Sequence, residues 1–191
     1  LKKVILLFLL GGLQGFLGWF MVSSGLTERT SVSHIRLAIH LITAFVTFAF
    51  TLYYALELLY PRLKKIPVNE NSKLIRWFFA LLIIQIIYGA FVAGMHAGKI
   101  YMTFPLMNGQ VIPKGIMFMQ PVWENFFNNQ VTVQFIHRLF AFTIVFLTGL
   151  IAFRSERIPM NSYQRNGLYA LITAVLLQFT LGVFTLLTGT N

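Results

Sequence analysis

The 191 residues contain no cysteine. That excludes disulfides and any thiolate-ligated metal or cluster. Acids are scarce, with 5 Asp and Glu against 15 Lys and Arg, and charged residues make up only 10% of the chain. A soluble domain of this size carries about 25%. What fills the space is apolar: 57% of the residues are hydrophobic and 20 are Phe. An integral membrane protein is the natural class. The net charge of +10 then reports topology rather than a nucleic-acid partner. The chain starts at Leu1 and turns apolar almost at once, with no readable small-residue cleavage site, so a piece of a longer chain is an open reading.

Five apolar stretches approach or exceed the roughly 20 residues a helical crossing needs: Val4–Val22, Leu37–Leu59, Trp77–Gly94, Val131–Phe153 and Leu168–Leu187. The expected fold is all-α and integral to the membrane, because helices satisfy their own backbone in lipid. Lys2, Lys3, Arg62, Lys64, Lys65, Lys73, Arg76, Arg154, Arg157 and Arg165 fall on one side of such a topology. Arg29, Arg36, Lys99, Lys114 and Arg138 fall on the other. The positive-inside rule makes the first side cytoplasmic, or matrix-facing in an organelle. The N-terminus is then inside and the C-terminus outside. The one long connection, residues 95–130, lies outside and holds Pro105, Pro113 and Pro121. A loop of that length usually has a task, such as acting as a lid. Its end, PVWENFFNN, mixes aromatic and polar groups as an interfacial segment does.

An internal repeat is visible. LQGFLGWFMVSSG (13–25) in the first span matches LQFTLGVFTLLTG (177–189) in the fifth. The third span echoes it more weakly through Gln85, Gly89 and Phe91. All three spans run from inside to outside, so the repeat is parallel. In each, Gln and Gly stand four apart on one helix face. The plain reading is close packing at the glycine, with the amide bonding across to a neighbouring helix. A four-helix repeat unit would make the chain part of a pseudo-twofold pair of four-helix bundles. Residues 1–66 would belong to the first half and 67–191 to the second. Two helices would then be expected before Leu1 and one after Asn191.

The central parts of the spans hold no Asp, Glu or Lys, which argues against a proton-coupled transporter. Glu57 lies near an inner end, as an interfacial residue would. What remains is His40 in the second span and His137 beside Arg138 in the fourth. Arg36 lies one turn before His40 on the same face. Both histidines lie in the outer part of the membrane, where each arginine can snorkel to the interface. A buried imidazole is a good axial ligand for haem iron, and an arginine is a good partner for a propionate. Ala44, Thr47 and Ala141 leave room for a flat macrocycle, and the phenylalanines supply an apolar wall. A purely structural hydrogen-bonding role for either histidine stays open at this point. His34 and His96 fall in or beside outer loops, where a solvated imidazole needs no explanation.

Four motifs carry a family resemblance: GGLQGFLGWFMVSSGL (11–26), VSHIRLAIHL (32–41), YGAFVAGMHAGKIYMTFPLMNGQVIP (88–113) and TVQFIHRLFAF (132–142). On these the chain resembles the haem A synthase family of the proteobacterial and mitochondrial type, over about helices three to seven of eight. His96 and Met102 depart from the family's usual acid and Asn. The resemblance implies oxidation of a haem O methyl to the formyl of haem A with water-derived oxygen, for cytochrome oxidase assembly. It implies haem b as cofactor and haem O as substrate. His40 would face the substrate haem iron and His137 the resident one, with Arg36 and Arg138 beside them. The family's catalytic glutamate and the partner histidines would lie before Leu1 and after Asn191, and residues 1–191 alone are expected to be inactive. Implied partners are lipid, haem O synthase, cytochrome oxidase assembly factors and a second copy of the chain, with no nucleic acid. The implied location is the bacterial plasma membrane or the mitochondrial inner membrane. The alternative is a non-enzymatic bis-His haem-binding electron carrier or an assembly factor, neither of which requires TFPLMNGQVIP.

The absence of cysteine makes the topology directly measurable. Val111→Cys is expected to react with an impermeant maleimide from the outer face. Glu156→Cys should react only after permeabilisation, and the reverse pattern would invert the assignment.

Overall fold

A computed structural model describes residues 1–23, 32–60 and 70–189. Arg29, Arg62, Lys64 and Lys65, used above for topology, lie outside the described residues, as does the boundary drawn between residues 66 and 67. The helices are α1 (Lys2–Ser23), α2 (His34–Leu59), α3 (Glu70–Gly94), a short α4 (Asn125–Asn128), α5 (Gln130–Ser155) and α6 (Ser162–Thr188). All but α4 are long and apolar enough to cross a membrane. The chain is an all-α integral membrane protein. The helices outrun the apolar windows that predicted them, because polar residues at the interfaces continue the same backbone. α3, for example, starts seven residues before Trp77.

The chain forms two compact units, Leu1–Pro67 and Val68–Asn191. In the first, α1 and α2 pack antiparallel. Lys3 pairs with Glu57 at one end of the pair, and Arg36 bonds to the Phe20 carbonyl at the other. In the second unit α5 is central, with α3 on one side and α6 on another. Phe78, Ile144 and Ile151 form its apolar core, covered by Leu81, Leu147, Leu168 and Val175.

The surface is inverted relative to a soluble protein. Phe8 is 80% exposed, Phe146 70% and Trp19 65%, as suits side chains that meet lipid tails. Asn125, Asn129, Thr132 and Gln134 are buried. Threonines on α2 satisfy themselves: Thr43, Thr47 and Thr51 each donate to the carbonyl four residues back, at 2.7–2.8 Å. Such bonding keeps a hydroxyl from being orphaned in lipid.

Helix starts are set by side-chain caps. Asn161 opens α6 with a capping box, its side chain accepting from Gln164 N at 2.8 Å while the Gln164 side chain accepts from Asn161 N at 3.0 Å. Asn129 opens α5, accepting from Val131 N at 2.9 Å and Thr132 N at 3.3 Å. Asn129 also donates to Gly115 O and to the Asn125 side chain, both at 2.9 Å. It therefore ties the helix to the loop of residues 95–130. Asn161→Ala is expected to cost about 1 kcal/mol. Asn129→Ala should cost about 1–3 kcal/mol more, because it strands buried partners. Thermal unfolding in detergent checks the order.

Candidate functional site

His40 and His137 fall in different units, and each meets the same partners on the neighbouring helix. In the first unit α1 presents Gln14 and Gly18 on one face. Gln14 Nε2 lies 3.0 Å from His40 Nδ1 and 3.3 Å from its Nε2. The same amide donates to the His40 carbonyl at 3.0 Å. A Cβ built on Gly18 would stand 3.3 Å from His40 Cε1. In the second unit α3 presents Gln85 and Gly89 to α5. Gln85 Nε2 lies 3.4 Å from His137 Nε2, and a Cβ on Gly89 would again stand 3.3 Å from the ring's Cε1. The glycine lets the imidazole edge sit against the helix backbone, and the glutamine one turn earlier bonds the ring. The third copy of the motif differs: Gln178 and Gly182 are exposed, with nothing within 4 Å of a Cβ at Gly182.

The histidine contacts are not identical. His137 Nδ1 is buried without a hydrogen-bond partner among the described residues, as are the amide oxygens Gln14 Oε1 and Gln85 Oε1. No three His, Cys, Asp or Glu side chains among the described residues converge in a way that could hold a metal ion.

Both arginines end on carbonyls. Arg36 donates to Phe20 O at 2.9 Å, with its guanidinium 4.0 Å from the centre of the Phe20 ring. Arg138 donates to Thr103 O at 2.7 Å and to Tyr101 O. Its Nε is buried and unpartnered. The Arg138 guanidinium reaches into the loop of residues 95–130.

That loop is ordered by α5. Gln130, Gln134 and Arg138 stand one turn apart on one face and follow the chain from the end of α3. Gln130 donates to Met95 O at 2.6 Å and Gln134 to Tyr101 O at 2.9 Å, while Arg138 shares Tyr101 O and goes on to Thr103 O. Within TFPLMNGQ the segment 107–110 closes a tight turn, Met107 and Gln110 exchanging backbone bonds at 2.9 and 3.2 Å. Asn108 and Gly109 take φ of 50° and 80° there, the sense a two-residue turn of this type demands. Thr103 Oγ1 accepts from Asn108 N at 2.7 Å. Phe104 then stacks on Phe142 at 5.8 Å and meets Phe179 edge-on at 6.0 Å, joining the loop to α5 and α6. His96, two residues past the end of α3, takes a φ of 55°, which explains a short break there but assigns no ligand role. Sequence reasoning missed Gln134 and Gln130. The four-residue steps from Gln130 to Gln134 to Arg138 were the available signal.

These features define a helical membrane protein whose units each set a half-buried histidine against a Gln-x-x-x-Gly helix face. The chain belongs to the COX15-CtaA family of cytochrome oxidase assembly proteins, whose model matches residues 1–191. It is 44% identical over 189 residues to a heme A synthase of Flavobacterium johnsoniae, covering 98% of this chain and 55% of that protein. A heme A synthase of Wolbachia pipientis wMel is 44% identical over 191 residues, covering 97% of this chain and 53% of the relative. One of Bartonella quintana is 42% identical over 191 residues, covering 98% and 52%. The chain spans about half the length of these curated relatives. No solved structure matches it.

The glycine contact predicts a local difference in tolerance. Gly89→Val would crowd His137 and is expected to cost about 1–3 kcal/mol by overpacking. Gly149→Val, where nothing lies within 4 Å, should cost far less. Unfolding of the two variants in detergent decides this.

Proposed function

We propose that residues 1–191 are the central part of a haem A synthase, which oxidises a haem O methyl to the formyl of haem A for cytochrome oxidase assembly. The observation that carries the reading is the repeated seat of the two in-span histidines, each ring edge set against a glycine of the neighbouring helix with a glutamine one turn earlier. An imidazole fixed in this way suits an axial bond to haem iron, and the aromatic side chains of α5 and α6 suit the macrocycle. His40, with the same glycine approach, is the candidate ligand in the other unit.

In this reading His137 ligates a resident haem b and His40 the substrate haem O. When bound, haem b supplies one-electron redox chemistry. The chain's own side chains bind, orient and exclude water. Arg36 keeps donors beyond the one used on Phe20 O for a propionate at the outer interface. Arg138 uses an N–H of each terminal nitrogen on the loop, and its buried Nε–H is a further donor open to a propionate oxygen. The loop stays close above His137 because Gln130, Gln134 and Arg138 hold it. No carboxylate among the described residues is given the catalytic role. The orientation that fits is N-terminus inside and C-terminus outside, in a bacterial plasma membrane or a mitochondrial inner membrane. Partners consistent with the reading are haem O synthase, cytochrome oxidase assembly factors and a second copy of the chain.

In the full-length protein, His137→Ala is expected to abolish retained haem b and reduce haem A formation at least tenfold. The checks are the reduced-minus-oxidised spectrum and pigment extraction after haem O is supplied. An unchanged spectrum in the variant overturns the assignment.

A further inference from the structure

We propose that residues 101–106 form a re-entrant wedge, seated within the thickness of the membrane against the seam between α5 and α6, and that this stretch is a fixed wall of the second unit whose free apolar face meets lipid. The proposal needs only that α5 and α6 cross the membrane, so it stands apart from the reading of either histidine.

Depth comes from the helices. Phe142 stands midway along α5 (Gln130–Ser155), about 18 Å from its start at 1.5 Å per residue. Phe179 lies close to the middle of the apolar stretch Leu168–Leu187 of α6. The two rings meet at 5.5 Å, and the Phe104 ring lies on both, at 5.8 and 6.0 Å. Two helices thus give Phe104 the same depth. Nearer the helix ends, the Met102 side chain rests where a Cβ at Gly189 would stand. Composition agrees. Residues 100–113 hold no charged side chain, and Lys99 and Lys114 bracket them. Tyr101 closes the neck of this excursion by donating to Lys114 O at 3.2 Å. Met102 and Leu106 are 41% and 40% exposed, a face that lipid accepts and water does not.

Irregular backbone at such a depth is tolerated only where protein or an enclosed cavity satisfies it, and here α5 does so. Gln134 donates to Gly98 O at 3.4 Å and to Tyr101 O at 2.9 Å. Arg138 donates to Tyr101 O and, at 2.7 Å, to Thr103 O. The Thr103 hydroxyl serves the far side of the wedge, donating to Leu106 O at 2.7 Å and accepting from Asn108 N at 2.7 Å. A loop running over the surface would leave such carbonyls to water. Gln134 is 2% exposed, so its amide serves the loop and meets no solvent. Withdrawing the wedge would strand that amide and a half-buried guanidinium in hydrocarbon, where an unpaired polar group is costly. A lid has to leave its seat at small cost, and these anchors oppose that. The wedge therefore keeps lipid tails out of the α5–α6 seam at the level of Phe104.

The test uses the full-length protein in lipid nanodiscs, with Trp19, Trp77, Trp123 and any other native tryptophan replaced by Phe. Leu106→Trp then reports on the free face of the wedge. Quenching by lipids brominated on their acyl chains, with none by aqueous iodide, is the expected result. Iodide quenching alone puts the segment in water and overturns the proposal. Quenching by both reagents means that the segment leaves its seat, which overturns the fixed wall. Quenching by neither encloses Leu106 in protein and overturns the lipid contact. In the same background Gln134→Leu removes the amide that holds Gly98 O and Tyr101 O. It is expected to shift the Leu106→Trp emission to the red and admit iodide. If Gln134→Leu does not fold, Phe104→Ala, which keeps the backbone bonds and takes the ring out of the seam, is expected to do the same. Unchanged emission in whichever variant folds overturns the anchoring on α5 and α6.

Discussion

A polar side chain in the hydrocarbon layer has no water to turn to, so it must find its partner on another helix. In each unit that need is met by an imidazole from one helix and a primary amide from its neighbour, brought together where a glycine removes the intervening side chain. Replace Gly18 or Gly89 with anything larger and the ring must give way, since a Cβ already stands 3.3 Å from Cε1. Helix spacing, ring position and amide contact are therefore one arrangement. In the second unit its effects spread further. The helix that carries His137 also carries Gln130, Gln134 and Arg138, so the register that seats the ring also seats the loop.

The spans, the membrane class and the two in-span histidines were legible because charge is so sparse that a single imidazole stands out. The Gln-x-x-x-Gly motif was legible too, and its plain reading, close packing with an amide bonding across helices, describes Gln14 and Gln85 correctly. Its target was not legible, because sequence does not say which residue of the facing helix meets the glycine. The strongest internal match pointed to the fifth span, yet the third has the same histidine contact. Half of the matching letters in the first and fifth spans are Leu and Phe, which lipid selects at any position. The weaker echo kept Gln and Gly, the two residues that make the contact. The loop's fold was illegible for another reason: its carbonyls are claimed by side chains about thirty-five residues away, which no local propensity reports.

The arginines show the same constraint reached by two routes. A helix leaves its last carbonyls unpaired and its C-terminal end partly negative. Phe20 lies in the last turn of α1, and Arg36 takes its carbonyl. Tyr101 and Thr103 follow the end of α3, and Arg138 takes theirs. Each guanidinium thus offsets its own cost of partial burial by satisfying acceptors that the outgoing helix or its continuation leaves open. The two are not equivalent by the repeat, since Arg36 precedes its histidine by four residues and Arg138 follows by one. Shared descent alone would have kept the offset. A shared physical need does not, because any position within reach of the open carbonyls will serve. QFIHRL can therefore carry its histidine and arginine side by side: the ring turns to the amide of α3, and the guanidinium turns outward to the loop.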